Sequence, residues 1–392
     1  MSKLSISFAG VLAALSILPV SAQDRTGVTD TTIKIGVPAP LTGPNASFGA
    51  AAYGIQAYYN YINEKGGIHG RKIEVILGDH ACNEAKGVAV AKKLIHQDKV
   101  FILNGGICSG VALAMKPVIL EEGVPWVVST AVNQNISTPN EKTIFHASQT
   151  SRDAGINMAK FALSKPGTAK IGIVAHTNEW AKGYRDPLVD HLKSVGITPA
   201  VEVTLERGQS DATAQVLKLK EANPDFVAVI LYEPELAVFL RDAHKYGLQS
   251  MMIGALGADY TNTERRLGSR EPMLRYYQVF QYKDLMDGPG IKKAREIIEP
   301  RLPPGEKVTD FTFYGPGSAV AVAYVLEKVG RDLTREKFID EMNKLKDFDT
   351  GIMAGKLSFS PDNHQGASQL YVIGYEDGQK LSVLESWGKK AQ

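Results

Sequence analysis

The sequence predicts an α/β fold of two doubly wound lobes, each built on a parallel central sheet, joined by a hinge that the chain crosses several times. Three observations predict it. From Ile33 onward, short β-prone apolar runs alternate with amphipathic stretches, the pattern of successive βαβ units. The alternation restarts near residue 150 after one complete set, and the roughly 370 residues beyond the N-terminal apolar segment exceed what one hydrophobic core serves. No Pro-rich or Gly-rich linker separates the two sets, as expected where extended crossing segments rather than one tether join the lobes.

In the first set, Ile33 to Val37 reads as a strand. A helix from about Phe48 to Lys65 follows, with Ile55, Tyr58, Tyr59 and Ile62 at helical spacing and Gly66-Gly67 as its stop. Then come a strand at Ile73 to Leu77, a helix at Glu84 to Gln97, a strand at Val100 to Leu103, a helix at Val111 to Glu121 and a strand at Pro125 to Val128. Thr143 to Ser148 is extended and is a candidate crossing. The second set has helices over Asp153 to Leu163, Lys182 to Val195, Asp211 to Ala222 and Glu235 to Tyr246. Between them lie strands at Lys170 to Val174, Ala200 to Thr204, Phe226 to Leu231 and Met251 to Gly254. A strand at Tyr277 to Gln281 offers a second crossing near Gln278 to Gln281. The remainder predicts helices at Ile291 to Ile298, Gly317 to Lys328 and Arg335 to Leu345, then strands at Lys356 to Phe359 and Leu370 to Tyr375. Lobe one is expected to comprise residues 23–147 and about 282–360, and lobe two residues 148–281 and about 361–392.

Composition narrows the class. The formal net charge of +2 is nearly balanced, with 44 Lys and Arg against 42 Asp and Glu, so no electrostatic footprint for nucleic acid or an anionic membrane is expected. Lys3, an apolar run from Ile6 to Leu18 and the small residues Ser21 and Ala22 read as a cleaved signal peptide, residues 1–22. Beyond it no apolar run is long enough to span a bilayer, and no cysteine stands at the junction to carry a lipid, so no direct membrane anchor is expected. The expected location is the periplasm. Export allows one disulfide, between Cys82 and Cys108, the alternative being two buried free thiols.

In open parallel sheets, ligands bind beyond the carboxyl ends of the strands. That rule selects the loops Pro40 to Phe48, Asp79 to Glu84, Asn104 to Gly110, Ser129 to Asn133, His176 to Trp180, Tyr232 to Pro234 and Ala255 to Tyr260. In Asn104-Gly105-Gly106-Ile107-Cys108-Ser109-Gly110 the glycines admit a close ligand, and Ser109 stands where the next helix begins, with free amides that favour an anion. Ser109 as a simple helix cap is the other reading. Phe48, Trp180 and Tyr232 are candidate walls for an apolar ligand, although single aromatic residues are as often core.

The opening IKIGVPAPLTGPNASFGAAAYGIQAYYNYINEKGGIHGRKIEVILGDHACN, with its "LTGP" loop, long helix and "GGI-G" turn, resembles the leucine/isoleucine/valine-binding protein family, the type I periplasmic solute receptors of ABC importers. The resemblance runs over nearly the whole mature chain. It implies a type I periplasmic binding protein fold, a Cys82–Cys108 disulfide, and a ligand carboxylate held by Ser109 and by the loop of Ala131 and Asn133. Phe48, Trp180 and Tyr232 fall on the family's aromatic positions. Two departures stand out. Asn133 replaces a threonine, and Leu256, in Gly254-Ala255-Leu256-Gly257, replaces the acid that pairs with the ligand ammonium in amino-acid-binding members.

Leu256 cannot neutralise a cation, and a buried unpaired ammonium costs several kcal/mol. The expected ligand is therefore a small carboxylate with an apolar, aromatic body and no α-ammonium. The rival is a branched-chain amino-acid receptor in which Asp259 or Glu233 supplies the counter-charge. A sensing subunit feeding a signalling partner is a third reading. The resemblance implies an inner-membrane ABC permease as partner, and a monomer is expected. No nucleophile elbow, Walker loop or HExxH helix is present, and His69, His80, His96, His146, His176 and His191 lack ligand spacing, so no enzyme activity, cofactor or metal is expected.

Overall fold

The structure, a computed structural model, describes residues 24–388 apart from Met286, Ser368 and Gln379. The expected signal peptide, residues 1–22, lies outside the described residues. The first set of elements is β1 (Thr32–Ala39), α1 (Ala50–Glu64), β2 (Lys72–Asp79), α2 (Glu84–Lys92), β3 (Ile102–Gly105), α3 (Ser109–Glu121), β4 (Trp126–Val128) and β5 (Ile144–His146). The second is α4 (Ser151–Ser164), β6 (Ile171–Ala175), α5 (Glu179–Ser194), β7 (Val201–Thr204), α6 (Thr213–Ala222), β8 (Phe226–Ile230), α7 (Glu233–Lys245), β9 (Met251–Gly254), α8 (Tyr260–Leu267) and β10 (Tyr276–Phe280). The chain then forms α9 (Pro289–Ile298), α10 (Pro316–Val329), α11 (Arg335–Met342), β11 (Gln369–Glu376) and β12 (Lys380–Gly388).

Two sheets result, one of five parallel strands in the order β2-β1-β3-β4-β5, the other of seven in the order β12-β11-β10-β9-β8-β6-β7. The strands β7-β6-β8-β9-β10 repeat the order of the first sheet and are parallel, while β11 and β12 add an antiparallel edge. Strands β3, β4, β6 and β8 are buried along their whole length. Helices on both faces explain why they read as continuous apolar runs rather than as alternation. On α1, Ala51, Ala52, Ile55 and Tyr59 are buried, and Gly54 allows the backbone of the following layer to approach. A Cβ on Gly54 would stand 2.0 Å from the Thr312 carbonyl oxygen.

The chain passes between the sheets three times, and each passage is tied by backbone hydrogen bonds. Beyond β5, the His146 amide donates to the His364 carbonyl (2.8 Å) and the Gly366 amide to the His146 carbonyl (3.0 Å). Beyond β10, the Lys283 amide donates to Ile352 and the Ala354 amide to Gln281, both at 2.8 Å. The pairing of residues 364–366 with His146 keeps the chain beside the first sheet past residue 361.

Sequence periodicity mispredicted one element and missed two. Lys356 to Phe359 is not a strand; Leu357 makes only isolated bridges, to Phe348 and Ala367. Helix α8 escaped because just Tyr260 and Thr263 of its residues are buried, leaving almost no apolar stripe. Its punctuation was nonetheless present, in Asp259 as N-cap and Gly268 in the left-handed conformation. Strand β12 follows the Asp377-Gly378 turn as an edge.

Cys82 and Cys108 form a disulfide with Cα atoms 5.8 Å apart, linking the loop after β2 to the loop after β3. Both residues have positive φ, +54° and +67°. For non-glycine residues such backbone costs of order 1–3 kcal/mol and persists where the surroundings hold it. Beside the bridge lies His80, fully buried, whose Nδ1 accepts from the Cys82 amide (3.1 Å). Burial pushes the imidazole pKa from 6.5 down to about 4, with Asp79 opposing. The unfolded chain therefore binds a proton here across that window while the folded chain does not. Stability at this position is present above pH 6.5 and is lost by pH 4, by about 3 kcal/mol in all. Urea unfolding of wild type and His80→Gln over this range checks it: the variant's stability is expected to depend on pH less steeply, and parallel curves would refute the assignment.

Candidate functional site

Both sheets change strand direction of succession between β1 and β3 and between β6 and β8, and in such sheets the crevice beyond these switch points receives ligands. The loops leaving those four strands carry Phe48, Ser109, Trp180 and Tyr232. They meet around a narrow interlobe cavity of about 30 Å³. Larger grooves elsewhere on the molecule are lined by charged residues of both signs or lie away from the strand ends.

From the first lobe come Phe48, on a short 3₁₀ turn, and Ser109, the first residue of α3. Ser109 is buried, and its Oγ accepts from the Asn133 amide (3.3 Å), which leaves the hydroxyl proton to donate. The first amides of α3 have no intrahelical acceptor, so this corner suits an anion. Gly106 allows it to form: at φ +99°, a Cβ there would lie 2.8 Å from the Trp126 ring.

The loop after β4 contributes differently from the expectation. Thr130 and Val132 line the cavity, whereas Ala131 and Asn133 do not. The Ala131 amide donates to the Gly106 carbonyl (2.7 Å). Asn133 is likewise occupied: its Nδ2 donates across the cleft to the Glu179 carbonyl (2.8 Å), and its Oδ1 accepts from the Asn135 amide (2.9 Å).

From the second lobe, Trp180 and Tyr232 stack with ring centres 4.3 Å apart, and Phe48 meets Tyr232 edge-on at 5.5 Å. Tyr232 is oriented from behind. Its amide donates to His176 Nε2 (3.0 Å), while His176 Nδ1 donates to the Leu205 carbonyl (2.6 Å). Burial holds the His176 pKa below its ordinary value, which keeps the ring neutral as these two bonds require. Leu256 is buried on the wall, and its carbonyl accepts from the Tyr184 hydroxyl (3.3 Å). Next to it Gly257 makes room for Trp180, whose ring would stand 2.6 Å from a Cβ there.

Among the described residues, no charged side chain lines the cavity. Glu233 and Asp259, the two possible counter-charges, both serve elsewhere. Glu233 accepts from Arg266 Nε (2.7 Å), from the Asp259 amide (3.2 Å) and from Asn262. Asp259 caps α8 through the Asn262 amide (2.7 Å), and its other oxygen accepts from the Asp310 amide (3.0 Å). Among the described residues, no group of three or more His, Cys, Asp or Glu is set to hold a metal ion. Ile107, Gly257 and Tyr314 also line the cavity. Tyr314 had no sequence signal, because it arrives on a segment that re-enters the first lobe long after the strands are complete.

Residues 32–380 match the sequence model of the family described as periplasmic binding protein. The chain belongs to this family. Its members similar to this binding protein include "Leu/Ile/Val-binding protein homolog 3" of Brucella melitensis, 26% identical over 352 residues, covering 90% of this chain and 93% of the relative. Among solved structures, a branched-chain amino acid ABC transporter protein from Thermus thermophilus with bound valine superposes with a TM-score of 0.82 at 18% identity, over 93% of this chain and 98% of that one. A solute-binding protein of an ABC transporter from R. palustris, in complex with 4-hydroxybenzoate, superposes with a TM-score of 0.77 at 22% identity, over 92% and 98%. The two-lobed fold is thus that of the type I binding proteins, and by family the chain is a periplasmic binding protein. Among the described residues of this binding protein, no helix is long and apolar enough to cross a membrane.

Proposed function

We propose that this binding protein captures a small carboxylate with an aromatic or otherwise apolar body and no α-ammonium, and delivers it unchanged to an inner-membrane permease. The observation that carries this reading is Leu256 on an uncharged wall while Glu233 and Asp259 are engaged elsewhere. An ammonium brought into that cavity would lose its hydration without gaining a counter-charge, at a cost of several kcal/mol. The rings of Phe48, Trp180 and Tyr232 offer faces and edges to a flat apolar body, and Ser109 with the first turn of α3 offers donors to its carboxylate. The fold itself does not choose, since structural neighbours hold valine in one case and 4-hydroxybenzoate in another.

The second reading, a branched-chain amino-acid receptor, is favoured by the name of the curated relative. Titration calorimetry with 4-hydroxybenzoate, benzoate, leucine and valine separates the two. The aromatic acids are expected to bind and the zwitterions not; tight leucine binding without aromatic-acid binding would overturn the proposal. Recovering the bound acid chemically intact after incubation checks that the protein binds rather than converts it. Ser109→Ala is expected to weaken a carboxylate ligand by about 1–3 kcal/mol, the range for a hydrogen bond to a charged group. Unchanged affinity would assign the carboxylate to backbone amides alone.

A further inference from the structure

The geometry points to Arg207 as the latch of the cleft, a residue off the cavity wall whose contacts across the lobes set how fast a bound ligand leaves. The inference rests on the interlobe cavity being the ligand site, and adds the residue that governs release from it. Arg207 is exposed, in the turn between β7 and α6 of the second lobe. Its guanidinium carbon stands 5.3 Å from the centre of the Tyr232 ring. Its Nη2 donates across the cleft to Oδ1 of Asn45, in the loop after β1. One side chain thus covers the aromatic wall from outside and ties the lobes together. Asn45 is buried, and its carbonyl accepts from the amide of Phe48 (3.0 Å), so the tie ends at the first lobe's own aromatic residue.

The turn that presents Arg207 is braced on both sides. His176 Nδ1 holds the Leu205 carbonyl, the Thr177 hydroxyl donates to the Glu206 carboxylate (3.0 Å), and the Gly208 amide donates to Glu235 Oε1 (2.8 Å). The same histidine receives the Tyr232 amide, which couples the turn to the ring that Arg207 covers. With its support fixed, the Arg207–Asn45 bond breaks by separation of the lobes rather than by fraying of the turn. A contact present when the lobes meet and absent when they part stabilises the closed state specifically. Removing it accelerates opening and leaves encounter with the open cleft almost unchanged.

The test is stopped-flow binding with wild type, Arg207→Ala, Arg207→Lys and Asn45→Ala, using 4-hydroxybenzoate and, separately, leucine as probes. For the probe that binds, Arg207→Ala is expected to raise the dissociation rate about 5- to 50-fold, with the association rate altered less than about 2-fold. Arg207→Lys, which keeps the charge but loses the planar fork, falls between. The double variant Arg207→Ala/Asn45→Ala is expected to be no faster than the quicker single variant. An unchanged dissociation rate overturns the latch. So does a lower association rate with an unchanged dissociation rate, which makes Arg207 a steering charge. Binding of leucine alone overturns the aromatic-acid reading while the rates still judge the latch, and binding of neither probe overturns the site on which both rest. Arg207 is exposed, so the melting temperature of its variants is expected to stay at the wild-type value.

Discussion

Leu256→Glu is expected to lower the affinity for benzoate-type acids by roughly 100-fold or more, the effect of an uncompensated charge in a buried site. The position is buried on the wall of the cavity, among Trp180, Tyr232 and Gly257, with no cation on that wall to receive the new carboxylate. The penalty has two parts, desolvation of the glutamate and repulsion of the ligand carboxylate, and both vanish on protonation. The loss is therefore expected to shrink as pH falls and the buried glutamic acid becomes neutral. The same change supplies the partner that an α-ammonium lacks, so leucine binding is expected to appear at neutral pH. Calorimetry with both ligand classes, with a melting curve to confirm the fold, measures each arm. If the variant binds both classes as the wild type does, Leu256 does not face the ligand.

Loss of the Cys82–Cys108 bridge is expected to destabilise the protein by about 3–4 kcal/mol, the entropic value for a closed loop of this length. The cysteines are 26 residues apart in sequence, and the loop they close contains β2's exit, α2 and β3. In the folded state the bridge also holds Cys82 and Cys108 in the left-handed backbone that aims Ser109 at the cavity. Stability and affinity should fall together for that reason. Denaturant unfolding of Cys82→Ser/Cys108→Ser, alongside titration of the best-binding aromatic acid, checks both. A midpoint within error of wild type would mean that the packing of the two loops holds the turn without the bond.

The strands and most helices were legible because their signal is local. Fully apolar runs such as Phe226 to Ile230 bury both faces of a parallel strand, and the helices between them carry apolar stripes at helical spacing. Elements lacking that signal were lost, as with α8, where a cap and a left-handed glycine were the sole marks. In the site, Phe48, Ser109, Trp180, Tyr232 and Leu256 were recoverable because each follows a strand end, and topology sends strand ends to the crevice. Thr130 and Val132 lay within the loop the strand-end rule selected, but the resemblance pointed instead to their neighbours Ala131 and Asn133, and only the folded loop shows which side chains face inward.

The sequence by itself determined the order of elements, the pair of cysteines, the aromatic residues at the strand ends and the absence of an acid at residue 256. Those properties depend on residue type and on spacing over a few residues, which the chain carries whether folded or not. The tertiary structure alone decided that Glu233 answers Arg266, that Asp259 answers the Asn262 and Asp310 amides, that Tyr314 closes the cavity and that Arg207 reaches Asn45. Several of these contacts join residues tens to hundreds of positions apart, and one of them spans the two lobes from β7's exit to β1's. Such partners are selected by the geometry of packed lobes and crossing segments, to which no local periodicity responds.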